Sequence, residues 1–183
     1  VPDTNNVKKG GTRPTVAVDD SGNRADRYNR YAPVAAAAAE AYNIPKDLFF
    51  AQIEQESDWK ATAKNGPGRG FGQIEPAAQQ DLGITNIWDP TENLFGAARY
   101  MRTLLNKFHG DENLALGAYN QGLGTIQKAR GLTPKAATYV SKVRARQPFY
   151  ISAATAPTGT GQSAGWLAQP AFDPLIKLQT AQL

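Results

Sequence analysis

A glutamate at the end of a helical stripe is the residue of this sequence best suited to acid chemistry. A helix is predicted from Pro45, because proline suits a helix start, and Asp47 would lie in its first turn, where the helix dipole favours a negative charge. Helical spacing places Glu56 on one face with Leu48, Phe49, Gln52 and Ile53. A carboxyl group that is poorly solvated holds its proton more tightly, as a general acid at neutral pH must.

The neighbouring glutamate is oriented differently. Glu54 precedes Glu56 by two residues, so a helix turns it to roughly the opposite side. Glu56 is therefore the candidate acid. On helical spacing alone, the alternative that Glu56 is a half-solvated carboxylate at a helix end stays open.

A glycine-rich loop follows this helix. Glycines occupy positions 66, 68 and 70, and glycine lets the backbone adopt unusual dihedral angles and approach other groups closely. Beside a glutamate on a buried face, this composition predicts a cleft with exposed backbone donors.

Composition limits the chemistry further. With no cysteine, the sequence excludes disulfides, thiolate metal sites and cysteine nucleophiles. Its one histidine, His109, precedes Gly110 at a predicted helix end and fits a capping role better than a catalytic triad, and a histidine-rich metal site is excluded. The net charge of +4 weakly favours an anionic partner. No apolar run is long enough to span a membrane.

The 183 residues divide into one domain with tails. We expect an irregular, solvated N-terminal arm at 1–23, a mainly helical domain at 24–151 and a flexible linker at 152–165, which is rich in Ala, Thr, Gly, Pro and Ser. The segment from Trp166 to Leu183 is too short for a domain and is expected to dock on the body, on another copy or on an assembly partner. Val1 starts no signal-peptide pattern, so we expect a processed form or an excised piece.

Caps and breakers define the expected elements of the domain. Asp89 and Glu92 are expected to cap one helix reciprocally, around a proline. A small hairpin is expected near 62–72, and an earlier helical turn near 26–31. The predicted helices begin, in chain order, at Pro33, Pro45, Pro76, Asp89, Asp111, Thr125 and Pro134.

Four short motifs in order resemble a known family, the soluble lytic transglycosylase domain, a lysozyme-like family related to goose-type lysozyme. The resemblance covers roughly residues 30–146. Its motifs are Glu56-Ser57, Gly70-Phe71-Gly72-Gln73-Ile74-Glu75-Pro76, Ala118-Tyr119-Asn120-Gln121-Gly122-Leu123-Gly124 and Thr138-Tyr139-Val140. This chain departs from the family pattern at Pro67-Gly68, Phe71, Gly72 and Glu75, which affects substrate preference more than chemistry.

The resemblance implies a mainly α, lysozyme-like domain that cleaves the β-1,4 bond between N-acetylmuramic acid and N-acetylglucosamine in peptidoglycan. It implies one glutamate, Glu56, that protonates the leaving oxygen and then takes a proton from the sugar's own 6-hydroxyl, which closes a 1,6-anhydro ring. No cofactor or metal is implied. The resemblance also implies action in the cell envelope or, for a phage virion protein, on the cell wall.

Roles for further residues follow from the resemblance. Ser57 would orient the substrate or the glutamate, and Tyr139 would donate a hydrogen bond to Glu56 and tune its pKa. For each residue a purely structural interpretation stays open: a helix-end hydroxyl, a loop amide, core packing or a glycine turn. The implied substrate-binding residues are Ser57, Gln73, Tyr119, Asn120 and Tyr139.

Other functions stay open at this point. A hydrolytic muramidase on the same fold would need a second carboxylate, and only Asp58 and Glu75 lie nearby in sequence. A non-catalytic wall-binding module, or a virion or secretion component, is the alternative outside enzymes. A nucleic-acid partner is not expected, because beyond Arg144 and Arg146 no aromatic-plus-basic motif occurs.

Overall fold

The computed structural model describes residues 13–154, with side chains to 151. Within that range it contains six α-helices and one two-stranded hairpin, so the prediction of a mainly α fold is confirmed. The elements are α1 (Arg24–Ala41), α2 (Lys46–Ser57), β1 (Lys64–Asn65), β2 (Gly68–Arg69), a 3-10 turn (Pro76–Ala78), α3 (Pro90–Lys107), α4 (Glu112–Gln121), α5 (Leu123–Ala129) and α6 (Pro134–Ala154).

Helix α1 begins nine residues before the predicted start at Pro33, which was wrong. Asn23 caps it by accepting hydrogen bonds from the N–H groups of Ala25 and Asp26, and the Asp26 carboxylate accepts from the N–H of Asn23 in return. Pro33 lies inside the helix on its exposed side. A proline there costs one hydrogen bond but does not end the helix. The helical turn expected near 26–31 and the helix expected from Pro33 are therefore parts of one helix.

Helices α2 and α6 pack against each other and carry much of the core. The buried face of α2 includes Leu48, Phe49 and Ile53, and that of α6 includes Val140 and Val143. Helix α6 runs three residues past the predicted linker boundary, because residues 152–154 are still helical. The rest of the predicted linker and the tail lie outside the described residues.

Helix α3 keeps only half of its predicted reciprocal cap. Asp89 accepts a hydrogen bond from the N–H of Glu92, as expected. The Glu92 carboxylate instead accepts from the N–H groups of Thr85 and Asn86 and from the Thr85 hydroxyl. This part of the prediction was wrong because the preceding loop folds back over the first turn of α3 and competes for the carboxylate.

The remaining boundaries follow glycines and capping residues. Asp111 caps α4 as predicted, while α5 begins at Leu123, two residues before the predicted Thr125, directly after Gly122. The predicted hairpin is present, with Lys64 opposite Arg69. No helix within residues 13–154 combines the length and apolarity that crossing a membrane requires.

Residues 13–22 are irregular and mostly exposed, and hydrogen bonds hold this segment to the helical body. The carbonyl of Pro14 accepts a hydrogen bond from Thr91 Oγ1, and the carbonyl of Asp19 accepts one from Tyr31 Oη. The Asp20 carboxylate accepts from the N–H groups of Ala61 and Thr62. The segment is therefore held against α1, α3 and the loop after α2. Residues 1–12 lie outside the described part of the chain.

Candidate active site

The last turn of α2 brings Glu56 against α6. Glu56 Oε1 accepts a hydrogen bond of 2.5 Å from the hydroxyl of Tyr139, which lies in the second turn of α6. The predicted contact between these two residues is present, 83 positions apart in the chain. Because α2 and α6 also share the hydrophobic core, the pair is positioned by packing as well as by its own hydrogen bond.

The pKa of Glu56 is strongly perturbed. Burial raises the pKa of its carboxyl group from 4.5 to about 7, and the hydrogen bond from Tyr139 acts in the opposite direction by favouring the ionised form. The two causes of this pKa shift are burial and the hydrogen bond, and a neighbouring carboxylate is not among them. A carboxylic acid that is half protonated near pH 7 can donate a proton and accept it back.

This shift couples the stability of the domain to pH. A pKa raised above its unfolded value means that the contribution of Glu56 is fully present below about pH 4.5 and is lost as the pH rises to about 7. The loss should reach about 3 kcal/mol at most. We therefore expect Glu56→Gln to unfold at higher denaturant concentration than the wild type at pH 8, with the advantage largest there and small at pH 4.5. Equal differences at both pH values would contradict the assignment.

Glu54 lies on the other side of α2, where its carboxylate joins neighbouring helices through hydrogen bonds. Its carboxylate, 8% exposed, accepts hydrogen bonds of 2.5 Å from both Arg24 Nη1 and Tyr150 Oη. Trp59 Nε1 in turn donates to Tyr150 Oη at 2.9 Å. This network joins α1, α2 and α6, and it leaves Glu56 as the glutamate free for chemistry.

At several positions of the glycine-rich loop the backbone donors are paired within the chain rather than exposed as predicted. The N–H groups of Arg69, Gly70 and Gln73 all donate within the chain, to Ile74, Ala63 and Gly70 respectively. The glycines serve close packing instead. A Cβ on Gly72 would lie 2.5 Å from Ala97 Cβ.

Asn93 fastens this loop to α3 and was missed by the sequence analysis. Its side chain is 1% exposed, and its Oδ1 accepts from the N–H of Gly72 at 2.9 Å. Its Nδ2 donates to the carbonyls of Arg69 and Ile87 at 3.1 and 2.9 Å. Gly70 has φ of +69° and no room for a Cβ, which would meet Asn93 Nδ2 at 2.3 Å. A polar residue at a buried helical position was the signal in the sequence.

The side-chain amide of Gln73 donates its hydrogen bonds within the loop. With φ of +47°, an unusual value for a residue other than glycine, it turns its amide so that Nε2 donates to the carbonyls of Gly70 at 2.8 Å and Ala63 at 3.2 Å. Its Oε1 is buried without a partner among the described residues. Gln73 therefore stabilises the loop and keeps one unpaired acceptor.

Tyr119 connects α4 to the glycine-rich loop. Its hydroxyl donates to the carbonyl of Gly72 at 2.8 Å, and its ring centroid lies 5.0 Å from that of Tyr100. Burial raises the pKa of the Tyr119 hydroxyl, and the nearby Glu56 carboxylate adds to the effect. Tyr119 is therefore near enough to the candidate acid for the two groups to interact electrostatically.

The two remaining predicted site residues, Ser57 and Asn120, form their side-chain hydrogen bonds within their own helices. Ser57 is buried, and its hydroxyl donates to the carbonyl of Ile53 in its own helix at 2.9 Å. Asn120 is exposed at the end of α4 and accepts a hydrogen bond from its neighbour Gln121. These contacts match the structural alternatives that the sequence left open for both residues.

Neither nearby carboxylate pairs with Glu56. Asp58 forms an ion pair of 2.6 Å with Arg27 while its side chain stays 51% exposed. Glu75 is exposed at the start of the 3-10 turn. Within residues 13–151 no group of three or more histidine, aspartate or glutamate side chains is placed to hold a metal ion.

Comparison with known proteins matches this region to one family. The model of the transglycosylase SLT domain matches residues 33–141. The chain is 32% identical over 117 residues to membrane-bound lytic murein transglycosylase F of Cellvibrio japonicus, covering 60% of this chain and 24% of that protein. It is 38% identical over 87 residues to the transglycosylase of Enterobacteria phage PRD1, covering 47% of this chain and 32% of that protein.

The fold has a counterpart among solved structures. An inactive mutant of the lytic transglycosylase Slt from Pseudomonas aeruginosa superposes with a TM-score of 0.60 at 22% sequence identity, covering 68% of this chain and 24% of that chain. The match supports the predicted lysozyme-like fold. The chain thus spans between about a quarter and a third of the length of these relatives.

Proposed function

Because the chain belongs to the transglycosylase SLT domain family, we propose that it is a peptidoglycan lytic transglycosylase that cleaves the β-1,4 bond between N-acetylmuramic acid and N-acetylglucosamine. The observation that carries the proposal is the Glu56–Tyr139 pair, in which a buried carboxyl group has a pKa of about 7 and, within residues 13–151, no carboxylate partner. One residue that exchanges a proton near neutral pH suffices for this reaction.

The proposed reaction consumes no water molecule. Protonated Glu56 gives its proton to the glycosidic oxygen, and the bond between that oxygen and C1 of the muramic acid breaks. The Glu56 carboxylate then takes the proton from the 6-hydroxyl of the same sugar, whose oxygen bonds to C1 and closes the 1,6-anhydro ring. The intramolecular hydroxyl is favoured over water by its fixed proximity.

The other site residues are proposed to serve this reaction in different ways. Tyr119 would contact the sugar beside Glu56, and Gln73 would hydrogen-bond the sugar or its N-acetyl group. Ser57 and Asn120 would act indirectly, by holding the end of α2 and the turn after α4.

Replacing Tyr139 with Phe tests the tuning of the acid. The lost hydrogen bond favours ionised Glu56, so its removal should raise the pKa of Glu56 further and shift the basic limb of the pH–rate profile to higher pH, with a lower rate at the optimum. The measurement is the rate of turbidity loss of purified peptidoglycan from pH 5 to 9. A profile that keeps its basic limb in place would show that Tyr139 only packs.

The products test the reaction itself. Digestion of purified peptidoglycan in ¹⁸O-labelled water, followed by mass spectrometry, should yield 1,6-anhydro-N-acetylmuramic acid ends without label. A muramidase would have to add water to C1, usually with help from a second carboxylate. Labelled reducing ends would therefore overturn the lytic reaction and leave a hydrolase on the same fold.

The proposed place of action is the bacterial cell wall, reached from the cell envelope or from a phage particle. Relatives of both kinds occur, since a membrane-bound lytic murein transglycosylase and a phage transglycosylase both match this chain. The net charge of +4 suits an anionic wall.

A further inference from the structure

Residues 13–22 contact both of the elements that support the glycine-rich loop. One support is the first part of α3, where Asn93 holds the loop and where Thr91 donates to the carbonyl of Pro14. The other is the stretch of chain between α2 and the hairpin, which Asp20 contacts. The segment precedes residues 33–141, so the part of the chain that matches the family model does not include it.

Asp20 makes three hydrogen bonds to the chain between α2 and the hairpin. Its Oδ1 accepts from the N–H of Ala61 at 2.7 Å, and its Oδ2 accepts from the N–H and the hydroxyl of Thr62 at 2.9 and 2.7 Å. Hydrogen bonds to an ionised carboxylate are roughly twice as strong as those between neutral groups. Because Ala61 is only 2% exposed, water has little room to replace the carboxylate there.

The next residue along the chain transmits this restraint to the glycine-rich loop. The carbonyl of Ala63 accepts a hydrogen bond of 2.9 Å from the N–H of Gly70 and one of 3.2 Å from Gln73 Nε2. Ala63 directly follows the two residues that Asp20 holds, so the position of its carbonyl depends on Asp20. Gln73 is also the loop residue that is proposed to hydrogen-bond the sugar.

A second contact couples the same segment to the loop. The N–H of Asp19 donates to Tyr31 Oη at 2.7 Å, and the Tyr31 hydroxyl donates to the carbonyl of Asp19 at 2.8 Å. The ring of Tyr31 packs edge-on against Phe71, with the ring centroids 4.7 Å apart and both side chains fully buried. Residues 13–22 are therefore coupled to the loop at two points, through Ala63 and through Phe71.

We propose that Asp20 is a positioning residue for the reaction, which holds the glycine-rich loop in the place where Gln73 meets the substrate. This inference rests on the proposed function for its substrate. Asp20 acts through residues 61–63 and not through Glu56. Its loss should therefore loosen the loop and weaken productive binding, while the proton chemistry of Glu56 stays the same.

Steady-state kinetics on a soluble peptidoglycan fragment measure this role. Misplacement by about 1 Å can cost about 10²-fold in rate, and a loop that is displaced only part of the time should cost less, so Asp20→Ala should lower kcat/KM about 10-fold. The loss should come mainly from a higher KM, with an unchanged pH profile. Asp20→Asn, which keeps one acceptor oxygen, should show a smaller loss and serves alone if Asp20→Ala does not fold. An unchanged kcat/KM, a loss confined to kcat, or a shifted pH profile would each overturn the proposal.

Asp19 provides the matched control on the same segment. Its carboxylate forms an ion pair with Arg30 and accepts a hydrogen bond from the N–H of Ser21. Asp19→Ala removes the same charged group one residue earlier, while the backbone hydrogen bonds to Tyr31 can persist. This variant should keep the wild-type kcat/KM. A loss equal to that of Asp20→Ala would show that the charge of the segment matters rather than the contact with residues 61 and 62.

Amide hydrogen exchange tests the positioning without catalysis. In Asp20→Ala the N–H of Gly70 should exchange faster, although it does not contact Asp20, because its acceptor on Ala63 is no longer fixed. Amides in the middle of α3 should keep their wild-type exchange rates, which separates a loosened loop from a general loss of stability. Unchanged exchange at Gly70, or equal acceleration in α3, would overturn the proposal. If the wild type cleaves no peptidoglycan, the proposed function fails and exchange alone decides whether Asp20 positions the loop.

Discussion

Glu56→Gln is expected to reduce peptidoglycan cleavage to background while the protein stays folded. Glutamine keeps the size of the side chain and its acceptor for the Tyr139 hydroxyl, but it has no proton to give. Loss of a general acid typically costs about 10²- to 10⁴-fold, and the upper part of that range applies because the same carboxyl group is proposed to act twice. The measurement is product release from purified peptidoglycan at pH 6, with circular dichroism as the check on folding.

Two other glutamates provide the controls. Glu40→Gln changes an exposed residue of α1 and should leave both activity and stability unaltered. Glu54→Gln should stay active below its melting temperature, although it should be less stable because Arg24 and Tyr150 lose a charged acceptor. An inactive Glu54→Gln beside an active Glu56→Gln would show that the acid has been assigned to the wrong residue.

Asn93→Ala is expected to have the largest effect on stability among the changes considered. The substitution leaves the N–H of Gly72 and the carbonyls of Arg69 and Ile87 without their partner in a buried place. Each unmet buried group costs about 1–3 kcal/mol, and partial access of water should limit the total to about 2–4 kcal/mol. Urea denaturation measures this loss. The rate of peptidoglycan cleavage should also decrease at temperatures where the variant is still folded, because the loop that contacts Tyr119 is no longer held to α3.

The matched control lies on the same helix. Asn106→Ala removes the same side chain from an exposed position of α3, where it accepts one long hydrogen bond of 3.4 Å from Arg102. It should change the free energy of unfolding by no more than about 0.5 kcal/mol. If both variants unfold at the same urea concentration, Asn93 does not fasten the loop.

Several elements could be predicted from sequence because short-range physics controls them. The helix that carries Glu56 follows from an acidic first turn and an apolar spacing of three and four residues, and the structure places it within one residue of its predicted start. Asp89 and Asp111 cap their helices as expected, since a capping side chain reaches only its own first turn. Pro33 misled the prediction because proline is tolerated both at a helix start and on an exposed helix face.

The sequence by itself determined which residue could be the acid, since helical periodicity separates Glu56 from Glu54 and four ordered motifs resemble one family. Only the tertiary structure decided what surrounds that residue. Burial of Glu56 depends on α6 lying across α2, with Tyr139 brought to it from 83 residues away, and no local pattern encodes such a distance. The same holds for the loop. Its glycines predicted a close approach, but whether they approach substrate or Asn93 and Ala97 depends on how α3 packs beneath them.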